Sequence, residues 1–115
     1  MSEIKQITEK IKKFRDDRDW KQFHNHKDVA LSLVLEAAEV LEHFQWKKSE
    51  EVDSHAAACR DDIADELADV AIYLFELADN LGIDLAEAID SKMKKNALKY
   101  PVEKAKGRHA KYDRL

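Results

Sequence analysis

Ile63-Ala-Asp-Glu-Leu-Ala-Asp-Val-Ala-Ile-Tyr-Leu-Phe-Glu-Leu77 is the stretch on which the fold turns. At about 100° per residue, Ile63, Leu67, Val70, Ala71, Leu74 and Leu77 share one arc of a helix. The spacing predicts a helix that starts between Glu50 and Asp61, runs to Asn80 and stops at Gly82. Ile72 lies outside the arc, which suggests burial against a second subunit, although a single exposed isoleucine needs no explanation.

Three more helices follow from the same rhythm. Ile4, Ile7, Ile11 and Phe14 mark a first one over residues 3–18. Leu33, Val34, Ala37, Val40, Leu41 and Phe44 mark a second over residues 28–46, with Asn25 or Asp28 as its cap and Lys47-Lys48 suiting the dipole at its end. Asp84 reads as the N-cap of a fourth, carried by Leu85, Ala88, Ile89 and Met93 to about Leu98. Arg18 to His26 reads as a loop, and Pro101 with Gly107 as an irregular tail. The expectation is an all-α, four-helix bundle-type domain over residues 1–115 that assembles with copies of itself.

Composition agrees. With two glycines and one proline in 115 residues, the chain cannot supply the turns of a β sandwich or barrel. No apolar run approaches the roughly 18 residues that span a bilayer, and the N-terminus has no signal-peptide core, so a soluble, cytoplasmic protein without a membrane partner is expected. Cys59 stands alone, which excludes an internal disulfide and any cysteine-cluster zinc site. The net charge of −4 hides a segregation: residues 28–90 carry seventeen acids against three bases, while residues 92–114 carry nine bases against two acids. A nucleic-acid binder would show an unopposed basic face. Acidic beside basic suits a ligand that is a metal ion on a polyphosphate, or simply two solvated faces.

Two acidic pairs carry the chemistry: Glu36-Ala-Ala-Glu39 on the second helix and Glu66-Leu-Ala-Asp69 on the third. Residues three apart on a helix face the same way, so each pair is a two-carboxylate claw at the edge of its apolar arc. If the helices are antiparallel neighbours the claws meet, and four carboxylates in a small volume call for a hard cation, Mg²⁺ or Mn²⁺; alternatively each pair is helix surface. A di-iron site would need Glu-x-x-His, and none of the five histidines has a Glu three residues before it. His43, four residues after Glu39, can reach the same region or serve packing. Tyr73 follows Asp69 by four, on the claw's stripe, and can meet a sugar or base or fill a core. Lys92, Asn96 and Lys99 form an i, i+4, i+7 row, followed by Tyr100, Lys104, Lys106, Arg108 and Lys111, able to neutralise phosphates or to remain a solvated face.

Taken together, these pieces resemble the all-α nucleoside triphosphate pyrophosphohydrolases, the MazG-like group, and within it the small dCTP-pyrophosphatase-like members. The resemblance rests on Arg15-Asp-Asp-Arg-Asp-Trp-Lys-Gln-Phe-His24, Glu36-Ala-Ala-Glu39-Val-Leu-Glu-His-Phe-Gln-Trp46, Asp65-Glu-Leu-Ala-Asp69-Val-Ala-Ile-Tyr73 and Lys95-Asn-Ala-Leu-Lys-Tyr-Pro-Val102, with Lys106-Gly-Arg and Lys111-Tyr. It implies Mg²⁺-dependent hydrolysis of a nucleoside triphosphate between the α and β phosphates, with dCTP and related deoxynucleotides as substrates and a house-cleaning role. It implies that Glu36, Glu39, Glu66 and Asp69 hold the metal, with Glu39 as the base. The nucleoside end falls to Trp20, His24, Trp46 and Tyr73, and the sugar and phosphates to Lys92, Asn96, Lys99, Tyr100, Lys106 and Arg108. It also implies a homo-oligomer, tetramer or dimer, whose pocket is shared between subunits. Two other readings stay open: a helical partner-binding module without turnover, and a phosphoribosyl-ATP pyrophosphatase.

Overall fold

Each long helix begins where a polar side chain can satisfy a backbone N–H that the first turn leaves unpaired. The computed structural model describes residues 2–115. In α1 (Glu3–Asp17) the Ser2 hydroxyl accepts from Lys5 N–H, in α2 (His26–Glu42) Asn25 accepts from Asp28 N–H, and in α5 (Leu85–Lys99) Asp84 accepts from Glu87 N–H. Between them lie α3 (Ser49–Ala58) and α4 (Arg60–Asn80), and α6 (Val102–Ala105) follows. Two 3₁₀ turns, Lys21–Phe23 and Tyr112–Arg114, complete a chain that is all-helical among the described residues.

The end of α4 is a Schellman stop. Gly82, at φ 70°, donates its N–H to Asp79 and Ile83 donates to Ala78. Elsewhere the helices depart from the sequence reading. The expected third helix is α4, whose start at Arg60 falls inside the expected range; the residues before it form a separate helix, α3, divided from α4 at Cys59 (φ −109°, ψ 25°). The second helix closes at Glu42 instead of residue 46: Phe44 and Gln45 both donate to Leu41, and the chain turns so that His43 can reach α3 and α4. The tail carries α6 and a 3₁₀ turn where irregular chain was expected, since Pro101 pre-sets the entry to a helical turn as readily as it ends one. Among the described residues there are thus six α-helices, the four expected and α3 and α6 besides.

The chain divides into two compact units, Met1–Ile83 and Asp84–Leu115. In the first, α4 packs most extensively on α2 and secondarily on α1. Polar contacts fasten α1: Lys12 pairs with Asp79 at 3.5 Å, and the buried Arg15 donates to Asn80 Oδ1 at 3.2 Å. Val29 and Ala78 are the buried apolar residues among those described. The arc expected to be the core of α4 is correspondingly less buried. Leu67 and Leu74 stay exposed, and the side turned inward carries the half-buried Glu66 and Tyr73 and the buried Glu76. Leu31, Val34, Leu35 and Leu41 are likewise exposed along α2, and Ile72 is exposed on α4. No helix of the described residues is long and apolar enough to cross a membrane.

Candidate active site

The contacts between α2 and α4 fix their relative direction. His24, just before α2, meets Glu76 near the end of α4, whereas His43, at the end of α2, meets Glu66 in the first third of α4. The two helices therefore run antiparallel, as the meeting of the claws requires. The pairs Glu36/Glu39 and Glu66/Asp69 come within electrostatic reach, and the effect is seen at Glu36. Burial pushes its carboxyl above the usual range, and a hydrogen bond with Glu39 and the negative charges of Glu39, Asp69 and Glu66 push it further.

Glu66 adds a second sign of incompleteness. Its Oε2 is buried without a hydrogen-bond partner, although His43 Nε2 lies 2.5 Å away, within ion-pair reach but without hydrogen-bond geometry. An oxygen-only donor set with an orphaned buried oxygen fits a small hard cation. The four acids do not form a compact ligand cluster, and Glu39 and Asp69 are exposed.

Along the inward side of α4, Glu66, Asp69, Tyr73 and Glu76 follow i, i+3, i+7, i+10, so they form one stripe. Burial, then Glu36, Asp69 and Glu76, raise Tyr73 above the ordinary phenol value, with a Ser32 hydrogen bond partly offsetting them. Tyr73 is therefore a neutral phenol with an O–H to donate. Glu76 is 2% exposed and accepts from or shares a proton with His24 Nδ1, at 2.8 and 3.1 Å to its two oxygens. Trp20 stands beside His24, their ring centroids 6.4 Å apart, and packs edge-on against Phe14. Sequence reasoning did not find Glu76; extending the stripe of Glu66, Asp69 and Tyr73 by one more turn would have done so.

The expected nucleoside pocket is only half assembled in one chain. His24 and Trp20 lie together before the start of α2, and Tyr73 meets Ser32 farther along it. Trp46 lies beyond the other end of α2 and is 85% exposed. Seventeen helical residues between them span about 25 Å. In the second unit Lys92, Asn96 and Lys99 are exposed along α5. There Lys99 Nζ lies 4.8 Å over the Tyr112 ring, Tyr100 meets Tyr112 edge-on, and Arg108 Nη2 donates to the Arg114 carbonyl at 3.3 Å. Lys106 is exposed beside Gly107, whose φ is 77°.

A family model described as the MazG-like family matches residues 31–115. The chain is 41% identical over 104 residues to dCTP pyrophosphatase 1 of Bos taurus, covering 89% of this chain and 62% of that protein. To dCTP pyrophosphatase 1 of Homo sapiens it is 40% identical over 104 residues, covering 89% and 61%. The chain thus spans less than two thirds of the length of these relatives. The crystal structure of a pyrophosphatase from Archaeoglobus fulgidus DSM 4304 matches with a TM-score of 0.83 at 37% identity, over 88% of this chain and 94% of that one.

Proposed function

Because the chain belongs to the MazG-like family, we propose that it hydrolyses nucleoside triphosphates to the monophosphate and pyrophosphate, with dCTP and related deoxynucleotides as the substrate class. The observation that carries this reading is the meeting of Glu36/Glu39 with Glu66/Asp69 across antiparallel helices, with Glu36 held above the usual carboxylate range by burial and by the other three acids. The ion we assign to these four side chains is Mg²⁺, with Mn²⁺ as a substitute. When bound, it supplies charge neutralisation to the phosphate oxygens and acidifies the attacking water.

The chain's own groups divide the remaining work. Hydrolysis requires a water oxygen to bond to the α phosphorus while the bond to the bridging oxygen breaks, and the water's proton must go to a base. Glu39, exposed and hydrogen-bonded to the half-buried Glu36, is the acceptor we assign. Tyr73 donates its phenolic O–H on the nucleoside side, and Trp20, with His24 held by Glu76, offers a ring face for the base at roughly 1 to 3 kcal/mol of stacking. On side-chain chemistry alone, Lys92, Asn96, Lys99, Tyr100, Lys106 and Arg108 are proposed contacts for phosphates and sugar.

We assign the working form to a homo-oligomer, a tetramer or a dimer. Support comes from a core too small for the apolar content and from the open rows of Leu31, Val34, Leu35 and Leu41 on α2 and Leu67 and Leu74 on α4. Trp46, about 25 Å of helix from His24, then serves the pocket of a neighbouring copy.

Pyrophosphate release from a panel of dNTPs, NTPs and phosphoribosyl-ATP tests the reading, with and without Mg²⁺, for wild type and Glu66→Gln. Mg²⁺-dependent monophosphate formation that Glu66→Gln lowers by at least about a hundredfold is expected. A folded protein that cleaves no triphosphate with Mg²⁺ present would leave the partner-binding module in its place, and cleavage of phosphoribosyl-ATP alone would replace the substrate class.

A further inference from the structure

Three side chains outside the carboxylate claws converge where the end of α2 meets the break between α3 and α4. His43 Nδ1 lies 3.1 Å from His55 Nε2, and Cys59 Sγ lies 3.9 Å from His55 Nδ1. One donor atom from each lies within 4.8 Å of the other two, a spacing that no other trio of His, Cys, Asp or Glu reaches among the described residues. His55 and Cys59 stand one turn apart at the end of α3, and His43 arrives from twelve residues earlier. All three are half-buried, and Phe44 packs edge-on against the His55 ring at 6.1 Å, which holds the imidazole in place.

The geometry matches a tetrahedral ion. Bond lengths of about 2.0–2.1 Å to nitrogen and about 2.3 Å to sulfur separate neighbouring donor atoms by about 3.3–3.7 Å. The two imidazole nitrogens, 3.1 Å apart, lie near that spacing, and one donor atom from each of the three residues falls within 4.8 Å of the others. The other nitrogen of His43, Nε2, faces Glu66 Oε2. A carboxylate behind the second nitrogen is the partner that metal-bound histidines regularly carry.

We propose that His43, His55 and Cys59 form a transition-metal site for Zn²⁺-class ions, separate from the all-oxygen claws, with a fourth position open to solvent. One thiolate and two imidazoles prefer such ions to Mg²⁺, which seeks oxygen. On binding, the Cys59 thiol loses its proton to solvent and both imidazoles coordinate as neutral rings, so metal uptake releases at least one proton. The lone cysteine rules out a cysteine cluster but not this mixed set. Glu66 belongs to both surroundings, so an ion at His43 biases the orientation of a claw carboxylate; this consequence, unlike the site itself, rests on the function proposed above.

The test uses the full chain, stripped of metal and titrated with Co²⁺ in excess Mg²⁺. The expected result is a thiolate-to-cobalt charge-transfer absorption that saturates near one equivalent per chain and is bleached by Zn²⁺. Cys59→Ser should abolish that absorption. Cys59→Ser and His55→Ala should each weaken Zn²⁺ binding by at least about a hundredfold, since altering even a group behind a ligand costs about 10- to 100-fold. Circular dichroism establishes that both variants fold, and having two guards against the failure of one. A cobalt spectrum without the thiolate band, displacement by Mg²⁺, or equal Zn²⁺ affinity in all three proteins would overturn the site. None of these readouts depends on triphosphate turnover.

Discussion

Removing the Glu76 carboxylate should be among the most damaging single changes in the first unit. Its side chain is 3% exposed, and both oxygens lie within hydrogen-bond distance of His24 Nδ1, tying the segment before α2 to the far end of α4. A hydrogen bond involving a charged group contributes about 1.5 to 3 kcal/mol, and truncation also leaves an imidazole nitrogen without its acceptor. Glu76→Ala should therefore cost about 2 to 3 kcal/mol, or roughly 8 to 20 °C in Tm for a unit of this size. Glu76→Gln, which keeps an acceptor and the shape, should cost about half as much. Because the proposed assembly would also contribute to stability, all melts must be run at one protein concentration. The decisive assay is a double-mutant cycle with His24→Ala, read by urea unfolding. We expect a coupling of at least about 1 kcal/mol. Additivity within about 0.5 kcal/mol would refute the argument that this pair, rather than the burial of each residue separately, fastens the segment.

The raised Glu36 carboxyl makes Mg²⁺ and protons competitors. Calorimetric Mg²⁺ affinity should climb by up to about tenfold per pH unit below that group's folded pKa and level off above it, and a wild-type slope equal to that of Glu36→Gln would contradict this. The metal-free protein should show the opposite trend: stabilisation from the raised carboxyl is present at low pH and lost as pH rises through the folded value, so thermal melts without Mg²⁺ should decline over that window. Gly82→Ala meets no atom within 4 Å but forces a φ of 70° on a residue with a Cβ, and should cost about 1 kcal/mol in urea unfolding; an unchanged midpoint would mean that the turn relaxes freely. Mixing Trp46→Ala with Glu66→Gln, each inactive alone, should restore roughly a quarter of wild-type turnover if two-fold related copies share sites, because half the pairs are mixed and each then holds one intact site. No recovery in mixed oligomers would mean that Trp46 does not serve the pocket of a neighbouring copy.

Caps and stops were the readable part of the fold. Asn25, Asp84 and Gly82 each act within three or four residues, so their meaning is complete in the local sequence. The break at Cys59 was not readable for the complementary reason. Ala56-Ala57-Ala58 favours helix on either side and carries no side chain large enough to dictate a direction, so the break falls beside a distant contact, that of His55 with His43. The early end of α2 has the same origin. Phe44 continues the apolar rhythm, but the contacts of His43 with His55 and Glu66 are made by a chain that has already left the helix.

The candidate site divides along the same line between local and distant information. Each acidic pair is legible because i, i+3 spacing alone puts two carboxylates on one face. Which residues face inward between the pairs depends on how α4 is rotated against α2, and hydrophobicity pointed to only part of that face: Ile63, Val70, Ala71 and Leu77 are half-buried, but Leu67 and Leu74 are not. The arc of Leu67 and Leu74 is the more apolar, yet Glu66, Tyr73 and Glu76 are the ones turned toward α2. A carboxylate as buried as Glu76 is tolerable only because His24 accompanies it, and the leucine row left open is tolerable in water only if something covers it. The two anomalies share one cause under the proposed function: α4 would give its inner face to the carboxylate site and its exposed leucines to a neighbouring copy, so that the sequence of one helix satisfies both demands at once.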